Sequence, residues 1–153
     1  MSRYLNRRDF LVRGTAAALA ASGLPSLLAA QGAPALVVYK SPDCGCCALW
    51  ADHVKAAGFA VSVRNSSDVA SVKKRYGVPG ELYSCHTAVV GGYVIEGHVP
   101  ADVISRLLKE KPRVKGLAVP GMPSGSPGME GPREPYQVLT FDAAGKTTVF
   151  ARR

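Results

Sequence analysis

The chain is 153 residues long, carries a formal net charge of +8 and is 47% hydrophobic, with 4 cysteines, 16 glycines and 11 prolines. That length suits one compact domain with its own core, so disulfide staples are not obligatory. The basic excess does not describe a nucleic-acid surface: Lys73-Lys74-Arg75 and the lysines and arginines from Arg106 to Lys115 lack interleaved aromatic rings on which bases stack, and they read as solvated helix faces.

The N-terminus carries Asn6-Arg7-Arg8-Asp9-Phe10-Leu11 ahead of an alanine-rich apolar stretch from Gly14 to Ala30, which resembles a twin-arginine export signal over residues 1–30. The stretch is short for a hydrocarbon core and is broken by Gly14, Thr15, Ser22, Gly23, Pro25 and Ser26. Small residues follow it, so cleavage is expected between Ala29 and Ala35; an uncleaved N-terminal anchor is the alternative. Either way the folded part is expected in the periplasm, and cleavage leaves no stable membrane insertion. Loss of residues 1–30 lowers the formal charge to +5.

The folded part is expected over 36–153. Leu36 to Tyr39 reads as a buried strand, and Ala48 to Ala57 as a helix offering Leu49, Trp50, Val54 and Ala57 for packing, with Gly58 as its stop. Ala60 to Arg64 reads as a second strand. Asp68 can cap a helix that runs to Tyr76 and ends at Gly77, and Thr87–Val90 with Tyr93–Glu96 forms a hairpin around Gly91-Gly92. Ala101 to Leu108 supplies a third helix. The order strand, helix, strand, helix, strand, strand, helix is that of an α/β, thioredoxin-like domain whose first two strands are parallel. Beyond Lys111 the composition changes. The Gly/Pro-rich segment 112–135 reads as a loop, with 5 glycines and 5 prolines between Gly116 and Pro135, and a β-hairpin extension over 136–151 follows.

Chemistry is concentrated in Cys44-Gly45-Cys46-Cys47, which lies between the first strand and the first helix. A helix N-terminus enriches thiolate, the nucleophilic and metal-binding form. Cys44 and Cys47 alone make a C-x-x-C redox pair, and Cys46 adds a third soft ligand that favours a thiophilic metal. In a thioredoxin-like arrangement the loop Tyr83-Ser84-Cys85-His86-Thr87 faces this turn, so Cys85 and His86 join the candidate ligands. For Cys85 the alternative is a buried apolar role or a disulfide, and for His86 a core histidine bonded to a carbonyl. His98 is a weaker candidate, for which solvent-exposed capping of the third helix is an equal reading. Met122 and Met129 can supply thioether sulfur from the loop, or can fill gaps in a core. His53, mid-helix, reads as a surface or packing residue.

Four blocks in this order resemble the CopG family of exported copper-resistance proteins, within a wider family of domains of unknown function. They are Lys40-Ser41-Pro42-Asp43-Cys44-Gly45-Cys46-Cys47, Ser84-Cys85-His86-Thr87-Ala88, Ile95-Glu96-Gly97-His98-Val99-Pro100-Ala101, and Gly116 to Pro123 continuing through Gly125-Ser126-Pro127-Gly128-Met129. The resemblance implies a thioredoxin-like fold, copper as the metal, and copper handling in the periplasm with redox change at the metal or thiols. Other periplasmic copper-handling proteins are the partners it implies.

The residues by themselves are compatible with that answer, because crowded thiolates suit Cu(I) and can bridge more than one ion. A structural zinc held by Cys44, Cys46 or Cys47, Cys85 and His86 is one rival. A metal-independent thiol–disulfide oxidoreductase, with Cys44 attacking and Cys47 resolving, is another. A module whose cysteines only brace the fold is a third. Pairing of Cys44 with Cys46 or Cys47, or of Cys46 or Cys47 with Cys85, is open at this level.

Overall fold

A computed structural model describes residues 32–153; the export segment expected over 1–30 lies outside the described residues. Seven strands and three helices follow in the order β1 (Ala35–Lys40), α1 (Gly45–Ala56), β2 (Ala60–Asn65), α2 (Val69–Tyr76), β3 (Thr87–Val90), β4 (Tyr93–Glu96), α3 (Ala101–Glu110), β5 (Gly116–Ala118), β6 (Gln137–Phe141) and β7 (Thr147–Arg152). A single 3-10 turn, Gly80–Leu82, precedes β3. The strands form one mixed sheet in the order β2-β1-β3-β4-β5-β6-β7. β1 is parallel to β2 and antiparallel to β3, and β5 runs parallel to β4 and antiparallel to β6.

Local chemistry accounts for most boundaries. The Asp68 carboxylate accepts the Ser71 N–H at 2.9 Å at the start of α2, and Gly77 closes that helix with φ +62°. Gly91 and Gly92 take φ of +55° and +84°, the pair of left-handed residues that a two-residue hairpin turn requires. Helix α1 starts at Gly45, three residues before the expected Ala48, so Cys44 is its N-cap and Cys46 and Cys47 lie in its first turn. Its buried stripe is Cys47, Trp50, Ala51 and Val54. Leu49 is instead 51% exposed because it falls off that stripe, and Ala57 is exposed because the helix has already ended and it is the C-cap.

Strand alternation sends side chains to two cores. Leu36, Val38, Ile95 and Leu117 pack with Trp50 and Val54 of α1 and with Ile104 and Leu107 of α3. On the opposite face Val94, Ala118 and Phe141 pack with Val78 and Leu82, which follow α2.

Two expectations need correction. The Gly/Pro-rich segment is not loop throughout, since Gly116–Ala118 form β5 and are entirely buried between β4 and β6. Three residues are too few for a period-two signal, and the strand exists because partners on both sides satisfy its backbone. A Cβ at Gly116 would stand 2.0 Å from the Val94 carbonyl oxygen, so only glycine permits this approach. Lys73 does not belong to a solvated face: it is buried against Glu96. Among the described residues no helix is long and apolar enough to cross a membrane.

Candidate metal centre

Strand β1 delivers the chain to a turn in which the Cys44 N–H donates to the Ser41 carbonyl at 3.2 Å. Cys44 and Cys47, one helical turn apart, are joined in a disulfide with Cα atoms 5.4 Å apart, while Cys46 and Cys85 are free. The Cys46 sulfur lies 3.5 Å from that of Cys44. All four sulfurs, of Cys44, Cys46, Cys47 and Cys85, fall within 4.8 Å of one another. Cys47 is fully buried and the other three are partly accessible, so the cluster sits at the mouth of the fold and not in its core.

Cys85 reaches the cluster because the β3–β4 hairpin brings both of its ends to the N-terminus of α1. Thr87 pairs with Glu96, which places Cys85 and His86 just before one strand and His98 just after the other. Cys85, His86 and His98 form a second group with ligand atoms within 4.8 Å of one another, and Cys85 belongs to both groups.

Hydrogen bonding assigns protons within this trio. The His98 Nδ1–H donates to the Pro127 carbonyl at 2.7 Å, so Nε2 keeps its lone pair and faces the Cys85 sulfur at 2.9 Å. Burial lowers the His98 pKa and keeps the ring neutral, with the Pro127 bond opposing the shift. Burial likewise pushes the Cys85 thiol up to about 12, helped by the charge and hydrogen bond of Cys46. In the metal-free protein, therefore, Cys85 S–H donates to His98. The His86 Nδ1 lies 3.3 Å from the same sulfur, and its Nε2 is buried with no hydrogen-bond partner among the described residues. Burial, then the charges of His98 and Lys73, hold His86 well below the ordinary imidazole range. A buried lone pair without a donor is costly in a structural histidine and useful in a ligand.

The Gly/Pro-rich loop is built onto the site. The Val119 N–H donates to the Glu96 carbonyl at 3.0 Å, the Ser84 hydroxyl to Gly121, and Pro127 receives His98. Gly128, at φ +86°, lies so close to α1 that a Cβ would stand 2.7 Å from the Cys46 carbonyl oxygen and 2.8 Å from the Trp50 nitrogen. Met129, half-buried, is the next residue, whereas Met122 is 54% exposed on the same loop. Trp50 donates to the Val99 carbonyl at 2.9 Å, and its ring stacks 4.3 Å from that of His86.

Beneath the cysteines runs a polar network that the motif reading missed. Glu96, fully buried, receives Lys73 at 2.6 Å and the Ser84 N–H at 2.7 Å on one oxygen, and the Thr87 hydroxyl at 2.7 Å on the other. A lone carboxylate closing the apolar run Val94-Ile95 was its only sequence signal. His98 is also corrected from a solvent-exposed cap, since it is fully buried. The capping of α3 falls to His53, whose Nε2 accepts the Ala101 N–H at 3.2 Å.

The donor set fits a thiophilic ion. Thiolates of Cys46 and Cys85, those of Cys44 and Cys47 after reduction, and the imidazoles of His86 and His98 are soft or borderline ligands, with no carboxylate in either group. The His98 bond to a carbonyl is the outer-shell contact that orients a ligating imidazole.

Residues 82–129 match the family model described as "Protein of unknown function, DUF411". A search of curated proteins finds no match. Two solved structures, both titled copper resistance protein CopG, superimpose closely. Form 2 is 43% identical, covers 79% of this chain and 98% of its own, and gives a TM-score of 0.75. Form 1 is 44% identical, covers 78% and 96%, and gives 0.74. Identity at that level over nearly the full length of the solved chains places this chain in the CopG family of copper resistance proteins.

Proposed function

We propose that the chain is a periplasmic copper-binding protein of copper resistance or homeostasis, holding Cu(I) as a thiolate-bridged cluster at Cys44, Cys46, Cys47 and Cys85 with His86 and His98. The observation that carries this reading is the convergence of four sulfurs within 4.8 Å, one of them shared with two buried imidazoles. Copper, when bound, supplies a soft acid for the sulfurs and a one-electron couple. The protein supplies the rest. Helix α1 presents two cysteines from its first turn, and the Pro127 carbonyl fixes the His98 tautomer. The loop lies against α1 at Gly128, and its half-buried Met129 and more exposed Met122 are candidate thioether donors.

The export motif supports the periplasmic assignment and release of residues 1–30. The β2-β1-β3-β4 order, with α1 between the parallel strands, supports a thioredoxin-like core within a single domain over 36–153 that also contains the loop 112–135 and the hairpin 136–151. Other periplasmic copper-handling proteins are the expected donors and acceptors of the ion.

The test is an anaerobic Cu(I) titration of the fully reduced protein against a competing chelator, beside Cys46→Ser and a parallel Zn(II) titration. Tight Cu(I) binding that collapses in the variant is expected, with a stoichiometry above one. Equal, weak binding by both proteins would overturn the reading, and preferential zinc binding at one ion per chain would favour the structural-zinc rival. The Cys44–Cys47 disulfide favours a second reading, a metal-independent thiol–disulfide oxidoreductase. Turnover of a dithiol substrate by metal-free protein supplied with glutathione disulfide to re-form the Cys44–Cys47 bond, abolished by Cys44→Ser, would establish it.

A further inference from the structure

Among the described residues two lysines are buried, and only one of them meets a carboxylate. Lys73 ends on Glu96 at 2.6 Å. Lys40 is 7% exposed, and its Nζ donates to the carbonyls of Ser41 at 2.8 Å and Pro42 at 3.2 Å. Among the described residues, no Asp or Glu oxygen forms an ion pair with it. Carbonyl dipoles satisfy the donors of an ammonium but leave its charge uncompensated, and a buried charge without a counter-charge is costly. The position of Lys40 shows where that counter-charge belongs. The Ser41 oxygen that receives Lys40 also receives the Cys44 N–H, so one atom separates the ammonium from the backbone of the first cysteine.

We propose that Lys40 is the counter-ion of the cysteine cluster, its fixed positive charge offsetting the negative charge that the thiolates gather as they bind Cu(I). The inference rests on the copper-thiolate reading above. A Cu(I) ion held by two thiolates is a net anion, and each further thiolate adds one negative charge. Lys40 is thus a positioning and charge-balancing residue and does not ligate the ion.

Two substitutions separate charge from hydrogen bonding: Lys40→Gln keeps donors for the two carbonyls and removes the charge, while Lys40→Arg keeps the charge. The readout is chelator competition for Cu(I), where Lys40→Gln should bind at least about tenfold more weakly and Lys40→Arg should be spared. If Lys40→Gln equals the wild type, or Lys40→Arg is as damaged as Lys40→Gln, the proposal is overturned. Should the wild type itself fail to bind Cu(I), the copper reading fails and the proposal is overturned with it. Should Lys40→Gln fail to fold, the wild type decides: the 15Nζ resonance of Lys40 must move on loading with diamagnetic Cu(I), and an unmoved resonance overturns the proposal.

Discussion

The Nδ1 hydrogen of His98 governs what the other end of its ring can do. Donation to Pro127 leaves Nε2 as a bare acceptor toward Cys85, the arrangement found when an outer-shell carbonyl orients a metal-binding imidazole. His98→Ala is therefore expected to weaken Cu(I) binding by at least about tenfold in chelator competition. His53→Ala removes a cap from α3 but no ligand, so its affinity should stay at the wild-type value while the melting temperature falls. Cys85 adds a pH dependence. Its folded pKa is raised from an ordinary 9.0 to about 12, chiefly by burial. The unfolded chain thus loses this proton first, so stability is fully present below pH 9 and is lost as pH rises towards about 12. Denaturant titrations of the metal-free protein with its Cys44–Cys47 disulfide intact should show that fall, and Cys85→Ala should flatten it. A pH-independent stability over that window in the wild type would contradict the assignment.

The loop between β5 and β6 works as a wall of the centre, because its backbone, lacking side-chain bulk at Gly128, lies directly on the first turn of α1. Gly128→Ala places a methyl against backbone atoms that cannot swing away and forces an alanine to φ +86°. A loss of about 1–3 kcal/mol in urea unfolding is expected, with weakened copper retention because the loop must lift from Cys46. Helix α2 meets β3 and β4 through Lys73, Glu96 and Thr87, a buried ion pair that also pins the Ser84 amide just before Cys85. Glu96→Gln leaves Lys73 unpaired and should cost about 3–5 kcal/mol, whereas Lys73→Met with Glu96→Leu should recover much of that loss. Equal losses in the single and double variants would show that geometry at Ser84, not charge, dominates.

Seven strands in one sheet carry the site at one end, and copper that binds the folded state more tightly than the unfolded chain should hold that assembly together. Reduced protein with free Cu(I) at 100 times its dissociation constant should gain up to about 2.7 kcal/mol of stability, less what the thiols of the unfolded chain recover by binding copper themselves. Thermal melts with and without copper check this, and a strong Cu(I) chelator should reverse the gain. Much of the fold was legible from local signals. Asp68 and Gly77 bounded α2, Gly91-Gly92 bounded the hairpin, and the thiols of Cys44, Cys46 and Cys47 marked the chemistry, since each depends on residues within a few positions of one another. Strand β5 was hidden because its stability comes from β4 and β6 and not from its own three residues. Lys73 looked solvated because nothing near it in the chain announces a carboxylate 23 positions away. The amino-acid order alone fixed the soft-donor motif, the early strand–helix alternation and the glycine-dependent turns, all of them short-range matters of sterics and capping. Only the tertiary structure decided that His98 is buried beside Cys85, that Pro127 sets its tautomer, and that Lys40 meets no carboxylate among the described residues, because each is a fact about which distant groups share a low-dielectric space.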